Sequence, residues 1–140
     1  MPRNRPERDL AKACTQLLEY DGWRALPLEP MSRRDLGKGF GEPGMADYLY
    51  VRYIFNDILF SSNPKRFECE NRAESEVLWI EYKSPCGKVS AAQKLWHACE
   101  RRRGALTAIA KMDFEPTIEG FENWYFKTGL VRRILERKTA

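Results

Sequence analysis

Val77-Leu78-Trp79-Ile80-Glu81-Tyr82-Lys83 is the stretch on which the reading of this chain turns. β-Branched and aromatic residues dominate it, and a short run of that composition reads as a strand. Side chains alternate along a strand, so Glu81 and Lys83 project from one face while Ile80 and Tyr82 project from the other. A carboxylate and an ammonium thereby stand side by side. Upstream, Pro43-Gly44-Met45-Ala46-Asp47 is a glycine-containing turn that leads into a second apolar strand, Tyr48 to Phe55. Pairing of the two strands brings Asp47 beside Glu81, and acidic groups with a lysine suit a hard divalent cation with a phosphate next to it.

The rest of the chain supplies layers for this pair of strands. Leu10, Ala13, Cys14, Leu17 and Leu18 recur at helical spacing and Gly22 follows them, which predicts a helix from about Arg8 to Tyr20. Trp23 to Leu28 reads as a short strand that Pro27 and Pro30 confine to an edge or an end. Met31 to Gly44 is glycine-rich and polar, hence a loop, and Asn56 to Glu76 reads as a hairpin extension or excursion. Ser90 to Arg103 is the best-defined helix: Ser90 is placed to cap it, Arg101 to Arg103 complement its C-terminal dipole, and Gly104 ends it. Ala105 to Ala110 reads as a buried strand, and Ile118 to Lys138 as one or two helices containing Trp124, Tyr125 and Phe126. The order predicts a single α/β domain over 1–140, a central mixed sheet flanked by helices, with its core at about 8–110 and a helical extension at about 117–138.

Composition narrows the class. The chain has 140 residues, 43% of them hydrophobic, enough for one core. Its net charge of +4 is modest, but arginines cluster at Arg3, Arg5, Arg8, at Arg33, Arg34, at Arg101 to Arg103 and at Arg132, Arg133. Such clusters suit a phosphate-rich partner, although a charge run is ordinarily a solvated face. Cys14, Cys69, Cys86 and Cys99 form no C-x-x-C pair, so reduced thiols are expected. Arg52 interrupts the longest apolar run, and no secretory pattern opens the chain, so a cytoplasmic protein without a membrane span is expected.

Several chemistries are set aside on residue type. Gly37-Lys38-Gly39 lacks the Ser or Thr that a phosphate-binding P-loop needs after its lysine. His97 is the only histidine, which argues against Ser-His-Asp catalysis and against paired-histidine zinc sites. Pro85-Cys86 is not followed by a cysteine at the spacing of a zinc deaminase.

An Asp after a Pro-Gly turn, a Glu-x-Lys on a strand, and Gly87-Lys88-Val89-Ser90-Ala91-Ala92-Gln93 at a helix start resemble, in this order over Asp9 to Ala110, the PD-(D/E)XK nuclease superfamily. Within it the chain is similar to the VRR-NUC branch that stands alone in phages and resembles Holliday-junction resolvases. The resemblance implies a restriction-endonuclease-like core and a Mg²⁺- or Mn²⁺-dependent endonuclease. Asp47, Glu81 and the backbone carbonyl of Tyr82 would hold the cation, with Asp9 or Glu7 from the first helix as a further acid. Lys83 would position the attacking water, and Gln93 would orient water or a phosphate oxygen. Arg33, Arg34, Lys38 and Lys88 are the candidate nucleic-acid contacts. Branched or duplex DNA, host-cell cytoplasm and a homodimer through Phe121 to Phe126 complete the expectation.

Plainer readings stand beside these. Glu81 and Lys83 on an exposed face would be an ordinary ion pair worth under about 1 kcal/mol. Ser90-x-x-Gln93 satisfies a capping box without any catalysis. The alternative function is a non-catalytic nucleic-acid-binding module on the same fold.

Overall fold

The computed structural model describes residues 5–26, 42–54 and 74–132. Helix α1 spans Arg5–Tyr20 and strand β1 Arg24–Leu26; β2 is Tyr48–Ile54 and β3 Glu74–Glu81. Then come α2 at Ala91–Arg102, β4 at Leu106–Ile109 and α3 at Ile118–Lys127. The four strands lie in the order β1-β2-β3-β4, antiparallel except for the parallel β3–β4 pair. That is a mixed sheet, and α2 is the crossover that a parallel pair requires.

Alternation along β3 divides the chain into layers. Leu78 and Ile80, with Tyr50, Tyr82 and Ala108, form one buried face against Leu10, Cys14 and Leu18 of α1 and Phe121 and Tyr125 of α3. On the opposite face Trp79 meets Trp96 of α2 edge-on, with ring centroids 5.2 Å apart. Helices therefore cover both faces, as the element order predicts.

Boundaries differ from the sequence expectation for identifiable reasons. Helix α1 begins at Arg5, not Arg8, because Pro6 is tolerated in a first turn and Glu7 there complements the positive helix end. Strand β3 begins at Glu74, where the excursion was expected, because Glu76 stands opposite Arg52 of β2 and takes its guanidinium at 2.6 Å. It ends at Glu81, two residues short of Lys83. Helix α3 ends at Lys127, with Gly129 following at φ 76, so the expected continuation toward Lys138 does not hold through residue 132. Phe121 and Tyr125 of α3 are fully buried in their own core, leaving Phe126, 42% exposed, as the ring open to solvent. The aromatic segment expected at a dimer contact is thus largely used internally. No described helix is long and apolar enough to cross a membrane.

One buried ion pair ties the layers together. Asp21, just past α1, accepts from the Arg52 guanidinium at 3.0 Å, from the Tyr125 hydroxyl and from the Arg132 backbone N–H at 3.0 Å. Arg52 also lies 4.3 Å from the ring centroid of Trp23, whose indole N–H donates to Tyr125 at 2.9 Å. Replacing Arg52 by Met leaves the Asp21 carboxylate buried without its cation, and the expected loss is about 3–5 kcal/mol. Urea denaturation measures it; a loss below about 1 kcal/mol would remove the pair from its structural role.

Candidate metal and phosphate site

The site is assembled at the end of β3 by the strand register and one turn. Tyr48 pairs with Ile80, so Asp47 arrives opposite Glu81, and its backbone N–H donates to Glu81 Oε2 at 3.2 Å. Gly44 holds φ +79 with its Cα against the first turn of α2, where a Cβ would stand 2.6 Å from the Gln93 backbone nitrogen. No side chain fits there. The Trp96 indole N–H adds a bond to the Glu42 carboxylate at 2.6 Å, fastening the same turn to α2.

Glu81 is the centre of the cluster. Its side chain is 2% exposed and that of Lys83 is 14% exposed, with Nζ 3.4 Å from Glu81 Oε1, so the pair is not the exposed ion pair of the plainer reading. Gln93 donates from Nε2 to the same oxygen at 2.8 Å. The Ser90 backbone N–H can only donate, so it claims the Gln93 amide oxygen at 2.9 Å and leaves the amide N–H for Glu81. The capping box closes with Gln93 N–H to Ser90 Oγ at 3.1 Å. Capping and holding the carboxylate are therefore one arrangement, where the sequence presents them as alternatives.

A third acid joins from α1. Glu7 lies within electrostatic reach of Lys83, of Asp47 and of the Ser84 backbone N–H. Asp9 instead forms an exposed pair with Arg5 at 3.9 Å. Two positions along a helix differ by about 200°, so only one of the two acids can face the strands.

Charge in the cluster is unbalanced. Burial, and then the neighbouring Asp47 carboxylate, push Glu81 up to about 7 against the counter-effect of Lys83. Burial likewise raises Glu7, opposed by Lys83 and reinforced by Asp47. Three carboxylates share one ammonium, an arrangement that favours a further cation. Among the described residues no three His, Cys, Asp or Glu side chains close into a ligand set. Mg²⁺ does not need one, since it is held through one or two carboxylates with waters and phosphate oxygens completing its shell. The oxygen donors of Asp47 and Glu81 are of the type such an ion takes.

The other expected residues fall in three places. Tyr82 has its side chain fully buried and its hydroxyl bonded to that of Tyr50 at 2.8 Å, which anchors the backbone between Glu81 and Lys83. Lys88 is exposed on the segment leading to α2, while Arg33, Arg34 and Lys38 lie outside the described residues. His97 is buried with neither ring nitrogen hydrogen-bonded, and burial with the nearby Arg101 lowers it to about 4 against the pull of Asp113 and Glu100, so it is neutral and packs edge-on against Trp96. Sequence reasoning missed Glu42, Ser84 and Lys111. Lys111 donates to the Pro85 and Gly87 carbonyls at 2.9 and 2.6 Å, and no spacing rule signals such a contact.

The raised Glu81 has a thermodynamic signature. Its folded value of about 7 exceeds the ordinary 4.5, so its protonated form contributes stability below pH 4.5, and this is lost as pH rises through 7. Glu81→Gln escapes that loss. In EDTA the variant should gain on the wild type between pH 5 and pH 8, by up to about 3 kcal/mol. Thermal melts at both pH values check this, and a constant difference would mean that Glu81 is not destabilised when ionised. No family profile, curated protein or solved structure matches the chain.

Proposed function

We propose that the chain is a metal-dependent nuclease of the PD-(D/E)XK type, hydrolysing phosphodiester bonds in DNA. The observation that carries this reading is a fully buried glutamate, Glu81, flanked by Asp47 and by a lysine 3.4 Å away. One ammonium among these acids leaves negative charge in excess, and a phosphate ester brought there would add to it, so a further cation is needed. A bound Mg²⁺ or Mn²⁺ would supply Lewis acidity to both the water and the scissile phosphate.

The chain's own groups do the rest. Asp47 and Glu81 would hold the cation through oxygen, and the resemblance implies the backbone carbonyl of Tyr82 as a further ligand and a first-helix acid, of which Glu7 is the nearer, as another. Gln93, immobilised by its capping bonds, keeps Glu81 in one orientation. Lys83 orients the attacking water and offsets the charge that builds on the phosphate oxygens. Lys88, exposed beside the site, is a contact for a neighbouring phosphate. Branched DNA and a homodimer are what the resemblance implies, and Phe126 on the outer side of the aromatic segment is open to such a contact.

Cleavage of labelled DNA in Mg²⁺, Mn²⁺, Ca²⁺ or EDTA, with a four-way junction compared against linear duplex, tests the proposal. Mg²⁺ or Mn²⁺ should support cutting, and Ca²⁺ binding alone, because its looser coordination misplaces water and phosphate. Asp47→Ala, Glu81→Ala and Lys83→Ala should each lower the rate about a hundredfold or more while circular dichroism stays native. Wild-type cutting by Lys83→Ala would refute the assignment. DNA binding without cutting under every cation would favour the non-catalytic module.

A further inference from the structure

Lys111 occupies the left-handed region at φ 76, alone among the described non-glycine residues. A side-chain-bearing residue is held there only where its surroundings over-determine it. Here they do: Ala110 N–H donates to the Glu81 carbonyl at 2.9 Å, Lys111 N–H to Phe114 at 2.7 Å, and Asp113 N–H returns to Ile109 at 2.9 Å. From this pinned turn the lysine reaches across to Pro85 and Gly87, donating to both carbonyls. An exposed lysine fixed by two bonds forgoes rotamer freedom that solvation would have left it.

The clamped segment belongs to the site. Gly87 N–H closes a turn onto the Ser84 carbonyl at 2.9 Å, and this turn joins Lys83 to the start of α2. Ser84, its first residue, has its backbone N–H near enough to Glu7 to favour the ionised carboxylate. We propose that Lys111 is a positioning residue: by clamping the 84–87 turn it sets Lys83 against Glu81. The inference rests on the nuclease reading. Lys111 touches no substrate; it fixes the groups that do.

Cleavage kinetics in Mg²⁺, DNA affinity in Ca²⁺ and thermal midpoints of the wild type, Lys111→Met, Lys111→Arg and Lys111→Gly separate the possibilities. Loss of the clamp should lower kcat about tenfold or more in the Met and Gly variants, since a small misplacement of a reacting group is enough. DNA affinity should hold, and Arg should restore most of kcat. Glycine adopts φ 76 without strain, so Lys111→Gly should be at least as stable as Lys111→Met yet equally slow. Wild-type kcat in both variants, or a kcat loss that merely tracks the thermal midpoint, would overturn the positioning role alone. A wild type that cuts in neither Mg²⁺ nor Mn²⁺ would bring down the nuclease reading and this inference together.

Discussion

The buried contact between Asp21 and Arg52 fixes more of this molecule than any other. Asp21 is fully buried, and Arg52 extends from the middle of β2 to meet it while also holding Glu76 of β3. Removing two charges from water costs several kcal/mol for each ion, and the cost is offset only where every oxygen and every N–H finds a partner. Tyr125, Trp23 and the Arg132 backbone complete that set. The pair also specifies register: a slip of one residue would turn Arg52 to the opposite face and expose the apolar side of β2. That same register delivers Asp47 to Glu81, so the position of the site follows from a structural ion pair elsewhere in the sheet.

Two buried carboxylates with unequal surroundings mark the division between structure and chemistry. Asp21 is met by a guanidinium, a hydroxyl and a backbone N–H. Glu81 accepts N–H bonds from Asp47 and Gln93 and has one ammonium at 3.4 Å, but burial and the Asp47 carboxylate oppose its ionisation. A fold selected for stability alone would pair Glu81 fully or replace it with an apolar residue. Rules of consistency between sequence and fold tend to be broken at functional positions, and Glu81 breaks one that Asp21 satisfies.

Much of this was legible in the sequence, and the failures have physical causes. Strand alternation put Glu81 and Lys83 together, the capping pattern located α2, and the Pro-Gly turn located Asp47. Arg52 could be read only as a break in an apolar run, because its partner Asp21 lies 31 positions away and no local rule connects them. Glu7 and Asp9 could not be separated, since the choice depends on the helix start and that start was placed three residues late. Gln93 looked like a choice between two roles because a linear pattern does not show that one amide has two ends. The clamp made by Lys111 depends on a positive φ and on carbonyls across a turn, neither of which leaves a trace in residue type. The restriction-endonuclease-like identity of the core stays a proposal, whereas the mixed four-stranded sheet with helices on both faces is its structural fact.

Register decides which residues meet in the cluster, and topology decides the end of the sheet at which they meet. Strands β3 and β4 are parallel and joined through α2, so the carboxyl end of β3 and the amino end of α2 must lie at the same side of the sheet. A helix start carries partial positive charge, and Gln93 at its third position brings an N–H directly to Glu81. The crossover thus places a favourable dipole where the strand ends in a buried acid. Gly44 completes the arrangement, because only a residue without a Cβ lets the Asp47 turn approach that helix start closely enough to share the same carboxylate.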